Sequence, residues 1–211
     1  MDINKFAQEI HQNAVDHGFW EGERDLGEII ALIHSEFSEA LEEYRAFRPM
    51  VWYECKEVEH ATPKPCNPKD EWDCLAYDEK ETCKHRGKKP EGIAIELIDG
   101  CIRILDYVAW VGMSITNVDS LDKLMDLAPK ELYNVGLPTL IARMHWYVSK
   151  SYAWDGVPTD LREAQKQASY LFDALAVACA WIRKEGYNPE ELMTTKHNYN
   201  KSRPYKHGKK C

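Results

Sequence analysis

The sequence predicts an all-α protein, a helical bundle, and three observations carry that prediction. Apolar residues recur at three- and four-residue spacing through most of the chain. Helix-starting and helix-stopping residues punctuate those stretches where they are needed. No run of alternating β-branched residues is long enough to insist on a sheet.

The first element is a helix over 3–17, where Ile3, Phe6, Ala7, Ile10 and Ala14 repeat at helical spacing and Gly18 supplies a stop. Phe19 and Trp20 connect it to a second helix with an excess of acids on one edge. Leu26, Ile29, Ile30, Ile33, Phe37, Ala40, Leu41 and Tyr44 form its apolar stripe, and Glu36, Glu39 and Glu43 line the border of that stripe. Like charges so placed repel by about 0.2–0.5 kcal/mol per pair when exposed, and by more when partly buried. A cation is expected to compensate them. This helix ends near Phe47-Arg48-Pro49.

Between Trp52 and Pro90 no period survives. Pro63, Pro65 and Pro68 accompany four cysteines, Cys55, Cys66, Cys74 and Cys83, with His60 and His85 nearby. Loops this long are unusual unless functional or stapled, so 55–89 reads as a Cys-rich insertion between two core helices. Structural Zn²⁺ held by the four cysteines, or with a histidine substituting, would order it. Free thiols are the other reading, because no C-x-x-C knuckle is present.

Helix resumes at Glu91 and runs to about Gly112, with Glu96, Asp99 and Asp106 flanking a stripe of Ile98, Ile102, Leu105 and Ala109. Side by side, the two acidic helices would bring four carboxylates into one place. A shorter helix spans 119–128, capped by Asp119 or Ser120 and stopped by Pro129. Three more cover about 137–154, 161–185 and 188–200. Cys101 and Cys179 lie on apolar faces and belong to the core.

The later helices can be laid over the earlier ones, Leu140-Ile141 on Leu32-Ile33 and Leu171-Phe172-Asp173 on Leu97-Ile98-Asp99. In that register Met144, Tyr147 and Tyr170 replace Glu36, Glu39 and Glu96. A duplication that lost most of its acids and a chance likeness between two amphipathic pairs both account for this. The expected organisation is one domain of 211 residues: a metal-binding half at 1–54 and 90–118, the insertion at 55–89, a second helical half at 119–187, and a basic C-terminal tail at 188–211.

A net charge of −8 argues against a general binder of nucleic acid or membrane surfaces, which needs clustered Lys and Arg. The basic stretch from Lys196 to Lys210 is the exception. No charged-then-apolar segment opens the chain, and the longest apolar run, Leu171 to Ile182, is broken by Asp173 and too short to span a bilayer. A cytoplasmic location with reduced thiols is expected, since the cysteine count of seven is odd.

The E-x-x-E of Glu36 and Glu39 and the E-x-x-D of Glu96 and Asp99 make a rational magnesium site. A spacing of three puts both acids of a pair on one helix face, and hard divalent cations want several oxygen ligands. Each pair taken alone also fits a solvated acidic edge.

The order of three motifs is more specific. Ser35-Glu36-Phe37-Ser38-Glu39-Ala40-Leu41-Glu42-Glu43, then Lys89-Pro90-Glu91-Gly92-Ile93-Ala94-Ile95-Glu96-Leu97-Ile98-Asp99, then Lys196, Asn200 and Arg203-Pro204-Tyr205-Lys206-His207-Gly208-Lys209 together resemble the MazG-like all-α nucleoside triphosphate pyrophosphohydrolases. The resemblance covers 1–54, 90–112 and 188–211. It implies a bundle in which Glu36, Glu39, Glu96 and Asp99 hold Mg²⁺, or Mn²⁺ in its place, against the phosphates of a nucleoside triphosphate. The implied products are a monophosphate and pyrophosphate. Glu39 or Glu43 would be the base for the attacking water. Two departures stand out: the gap between Glu39 and Glu96 is long, and two additional helices precede the basic tail.

Lys196, Asn200 and Arg203 are the expected phosphate and substrate contacts, with Lys206 as a further point charge. A solvated, frayed terminus is the plainer reading of the same residues. Trp20 and His11 precede the acidic helix where a base could be stacked and edge-read; packing at a helix junction explains them equally. Arg45 and Arg48 either face phosphate or pair with Glu42. A homodimer would complete the site from a neighbouring subunit, whereas two helical halves would complete it within one chain. The competing functions are a non-catalytic nucleotide- or metal-binding regulator, and a di-iron carboxylate bundle. The latter wants E-x-x-H pairs on core helices, and the E-x-x-H here, Glu57 to His60, lies in the insertion.

Overall fold

The computed structural model describes residues 1–22, 24–53, 89–115, 118–152 and 160–208. Helix α1 (Ile3–Asp16) starts where the Asp2 carboxylate accepts hydrogen bonds from the Asn4 and Lys5 amides. Asp25 caps α2 (Leu26–Arg45) in the same way. Strands β1 (Trp52–Tyr53) and β2 (Pro90–Glu91) pair antiparallel, with Tyr53 opposite Pro90. Then come α3 (Ile93–Trp110), α4 (Leu121–Leu127), α5 (Lys130–Tyr133), α6 (Leu137–Ser151), α7 (Leu161–Lys184), α8 (Pro189–Lys201) and a closing 3₁₀ turn at Tyr205–Gly208. The fold is all-α, as the periodicity predicts, and no helix among the described residues is long and apolar enough to cross a membrane.

The helix expected from Glu91 begins instead at Ile93, because β2 occupies Pro90 and Glu91. Gly92 makes the change of direction with φ of 110°. A Cβ there would lie 2.7 Å from the Pro49 carbonyl oxygen, so only glycine passes the exit of α2 this closely. The β1–β2 pair holds both ends of the Cys-rich stretch side by side. Cys55, Cys66, Cys74 and Cys83 themselves, and so the zinc expectation, lie outside the described residues.

Helices α2, α3, α7 and α6 pack in a closed ring, each against the next, while α1 and α8 both lie on α3. That makes α3 the central element, and its stripe residues Ile98, Ile102, Leu105 and Ala109 are all buried, as is Cys101 against the α7 side. Gly100 sets the spacing between α3 and α2. A Cβ at Gly100 would lie 2.4 Å from Cε1 of Phe37, so the missing side chain is what admits the aromatic ring. Phe37 is fully buried there, and its neighbour Glu36 accepts a hydrogen bond from Arg103 Nε of α3.

In the second half, Met144 is fully buried where the internal register aligns it with Glu36. A core methionine thus stands where the first half has an acid. Polar contacts join α2 to α6 at His34: its Nδ1 lies 2.7 Å from Nδ1 of His145, with the rings stacked at 4.9 Å, and its Nε2 lies 3.5 Å from Ser149 Oγ. Burial holds both imidazoles below their usual pKa, so one ring donates and the other accepts.

Candidate metal and anion site

The periodicity of α2 places Glu36 and Glu39 one turn apart at the edge of its buried stripe, and α3 brings Glu96 to the same place. One oxygen from each of the three lies within 4.8 Å of the others. Opposite oxygens around an ion with bonds of about 2.1 Å are about 4.2 Å apart, so a small contraction closes the set. An all-carboxylate donor set suits a hard divalent cation such as Mg²⁺ or Mn²⁺. Glu36 is 7% and Glu96 4% exposed, which is costly for carboxylates without a cation.

Protonation reflects that cost. Burial pushes Glu96 up to about 9; Lys196 opposes the rise, while Asp99 and a hydrogen bond with Glu91 add to it. Burial also raises Glu36, against the pull of Arg103, whose Nε donates to Glu36 Oε1. Burial therefore favours the protonated form of the Glu96 carboxyl near pH 7.

The fourth expected ligand stands apart from this cluster. Asp99 is paired with Lys196 at 2.8 Å, and the same ammonium donates to the Pro90 carbonyl at 3.2 Å. Burial works against the charge on Lys196, but Asp99 and Glu96 outweigh it and hold its pKa above the usual lysine range. Asp99 thus serves a cation already supplied by α8.

These groups line a cavity of about 300 Å³ between α1, α2, α3 and α8. Carboxylates of Glu36, Glu39, Glu96, Asp99 and Asp106 meet the cations of Arg24, Lys89, Arg103, Lys196 and Arg203 across it. Lys196, Asn200 and Arg203 all reach the cavity, because α8 folds back onto α3 within one chain. The two additional helices do not hold them off.

Other expected residues are placed elsewhere. Glu43 is not among the cavity residues; one more turn along α2, its carboxylate accepts the Trp52 indole N–H at 2.7 Å. His11 and Trp20 do not line the cavity either. Both spend their hydrogen bonds on Asp106, at 2.7 and 2.9 Å, and Trp20 stacks on Trp110 with centroids 4.7 Å apart. They hold Asp106 from behind. Burial raises the Asp106 pKa, and the bonds from His11 and Trp20 pull it back. Lys206 pairs with Glu21 at 3.6 Å and Arg45 with Glu42 at 2.7 Å, while Arg48 lies over the Trp52 ring.

Comparisons with protein-family models, with characterised proteins and with solved structures give no match to this chain. The site therefore stands on its own geometry. Three cations to which sequence reasoning gave no role, Arg24, Lys89 and Arg103, line the cavity with the acids. Arg103 was legible in principle, since it shares the Glu96, Asp99, Asp106 face of α3 at helical spacing. Lys89 owes its place to the β1–β2 pair, which no periodicity announces.

Proposed function

We propose that this chain hydrolyses (deoxy)nucleoside triphosphates between the α and β phosphates in a Mg²⁺-dependent reaction, releasing a monophosphate and pyrophosphate. The observation that carries this reading is the carboxylate cluster of Glu36, Glu39 and Glu96 facing a set of cations in one cavity. Carboxylates alone would hold a cation, and cations alone an anion. Their juxtaposition suits the two together, as in a metal–polyphosphate complex. The motif order that resembles the MazG-like enzymes points the same way.

The bound ion would supply charge neutralisation on phosphate and activation of water. Glu36, Glu39 and Glu96 would hold it. Glu39 is exposed and makes no ion pair among the described residues, unlike Glu36 with Arg103. Its Oε1 accepts a hydrogen bond from Ser35 Oγ at 3.4 Å, and the carboxylate oxygen not given to the ion would take the proton of the attacking water. Arg103, Lys89 and Arg203 bind and orient phosphate oxygens, Arg through its planar fork and Lys as a point charge. Lys196 keeps Asp99 neutralised and fixes the wall on which these groups stand.

A panel of triphosphates incubated with the protein and Mg²⁺, with products separated, is the direct test. Monophosphate and pyrophosphate are expected; orthophosphate alone, or no product, defeats the reading. The second reading is a non-catalytic nucleotide-binding regulator, favoured by Lys196 and Arg103, which already neutralise two of the acids. It predicts saturable triphosphate binding with the ligand recovered intact.

A further inference from the structure

His197 and Asn200 sit one turn apart on α8, and both line the cavity that contains the carboxylates. His197 is 2% exposed, and its Nε2 is buried with no protein partner among the described residues. Oδ1 of Asn200 is in the same condition. Buried polar atoms are satisfied in nearly every folded protein, so two of them on one cavity wall point to a ligand that satisfies both.

The imidazole is held in place from α1, where Phe6 meets it edge-on at 5.2 Å. On the α1 side the cavity is lined by the apolar Ile10 and Ala14 and the neutral Asn13, whereas α2 and α3 contribute Glu36, Glu39, Glu96, Asp99, Arg103 and Asp106. Burial and the nearby Lys201 lower His197 to about 4, against a smaller pull from Glu9. Its ring is therefore neutral near pH 7, fitted to an uncharged partner and unsuited to phosphate.

We propose that this α1–α8 wall is the nucleoside subsite. His197 Nε2 and the Asn200 side chain hydrogen-bond the uncharged polar edge of the nucleoside, while its phosphates extend toward Glu36, Glu39 and Glu96. The inference rests on the triphosphate reading above. Asn200 Oδ1 accepts, so its partner is a donor: an amino or imino N–H of a base, or a hydroxyl of a sugar. His197 Nε2 takes either role according to its tautomer.

The test compares wild type with His197→Ala, His197→Gln and Asn200→Ala on ribo- and deoxynucleoside triphosphates of each base, and measures binding of inorganic tripolyphosphate alongside. His197→Ala and Asn200→Ala should each raise KM about tenfold or more on the preferred substrate, a larger effect than on kcat. They should also compress the kcat/KM ratio between substrates. Tripolyphosphate, which has no nucleoside, should bind within about twofold of wild type. His197→Gln, which keeps a hydrogen-bonding amide, should recover part of the loss. Compression between bases assigns the contact to the base, and compression between ribose and deoxyribose to the sugar; both uphold the subsite. Unchanged substrate ratios, or an equal loss on tripolyphosphate, overturn it even where hydrolysis is observed. If wild type hydrolyses nothing, or His197→Ala does not fold, the ring-nitrogen resonances of His197 in wild type decide on addition of free nucleosides. A shift upholds the subsite apart from hydrolysis, and no shift rejects it.

Discussion

Lys196 Nζ stands 2.8 Å from Asp99 Oδ2, and the lysine is only 2% exposed. This pair joins α8 to α3 across the edge of the carboxylate cluster. It explains why three acids converge where four were expected: the fourth is already neutralised by a residue nearly a hundred positions away.

Lys196→Met should therefore be strongly destabilising. Removing one partner of a buried ion pair costs about 3–5 kcal/mol, because the other charge is left uncompensated. Mg²⁺ should repair more of this loss than it adds to wild type, since the freed Asp99 can join Glu36, Glu39 and Glu96. Melting curves with chelator and with saturating Mg²⁺ make the comparison. Equal metal-induced shifts in the two proteins would refute the idea that Lys196 competes for Asp99.

Metal binding should release a proton. Burial raises Glu96 from the ordinary carboxylate value of 4.5 to about 9, so between those limits the metal-free protein carries a proton that its unfolded chain lacks. The sign follows directly: the contribution of Glu96 to metal-free stability is full below pH 4.5 and is lost as pH rises through about 9. Affinity for Mg²⁺ or Mn²⁺ runs the other way, rising by up to about tenfold per pH unit over that window for one displaced proton. Calorimetry in buffers of differing ionisation enthalpy reads the proton directly. An affinity independent of pH from 6 to 8 would count against Glu96 as a ligand.

Glu39→Gln and Glu43→Gln should part company. Glu39 lies in the cluster and Glu43 on the Trp52 indole. Glu39→Gln should cost about 10²–10⁴-fold in kcat, the range of a lost general base, with stability within about 0.5 kcal/mol because the residue is exposed. Glu43→Gln retains an oxygen that accepts the indole N–H, so turnover should stay within about fivefold. A large loss in Glu43→Gln with little in Glu39→Gln would reverse the assignment.

Gly100→Ala tests how packing governs the site. The added methyl would meet Phe37 at 2.4 Å, so α2 and α3 must separate or Phe37 must leave its rotamer. Overpacking of this kind costs about 1–3 kcal/mol. Because Glu36 neighbours Phe37, divalent-ion affinity should fall as well, although no ligand is changed. An unaltered affinity in the destabilised variant would show that the acids are positioned independently of this contact.

Much of the fold was legible from local pattern. The major helices, the buried stripe of α3 and the acid pairs at a spacing of three follow from periodicity, and residue type marked Ser120 as one of two candidate caps for α4. Periodicity reports an angle around a helix axis. It carries no information on how far away the next helix lies or which of its residues arrives opposite. The short β1–β2 pair was silent for a related reason: two residues per strand are too few to show alternation.

The sequence by itself determined an all-α chain with carboxylates along the border of a core stripe and a basic stretch near its end. Only the tertiary structure decided what those residues meet. Glu36, Glu39 and Glu96 converge, Asp99 goes to Lys196, Glu43 to Trp52, and His11 with Trp20 to Asp106. The physical reason lies in contacts such as Gly100 against Phe37, where the volume of one side chain sets the separation of two helices and so selects the acids that share a place. The buried Nε2 of His197, without a partner among the described residues, belongs to the same class of fact, since it depends on α8 packing on α3 with His197 against Phe6 of α1.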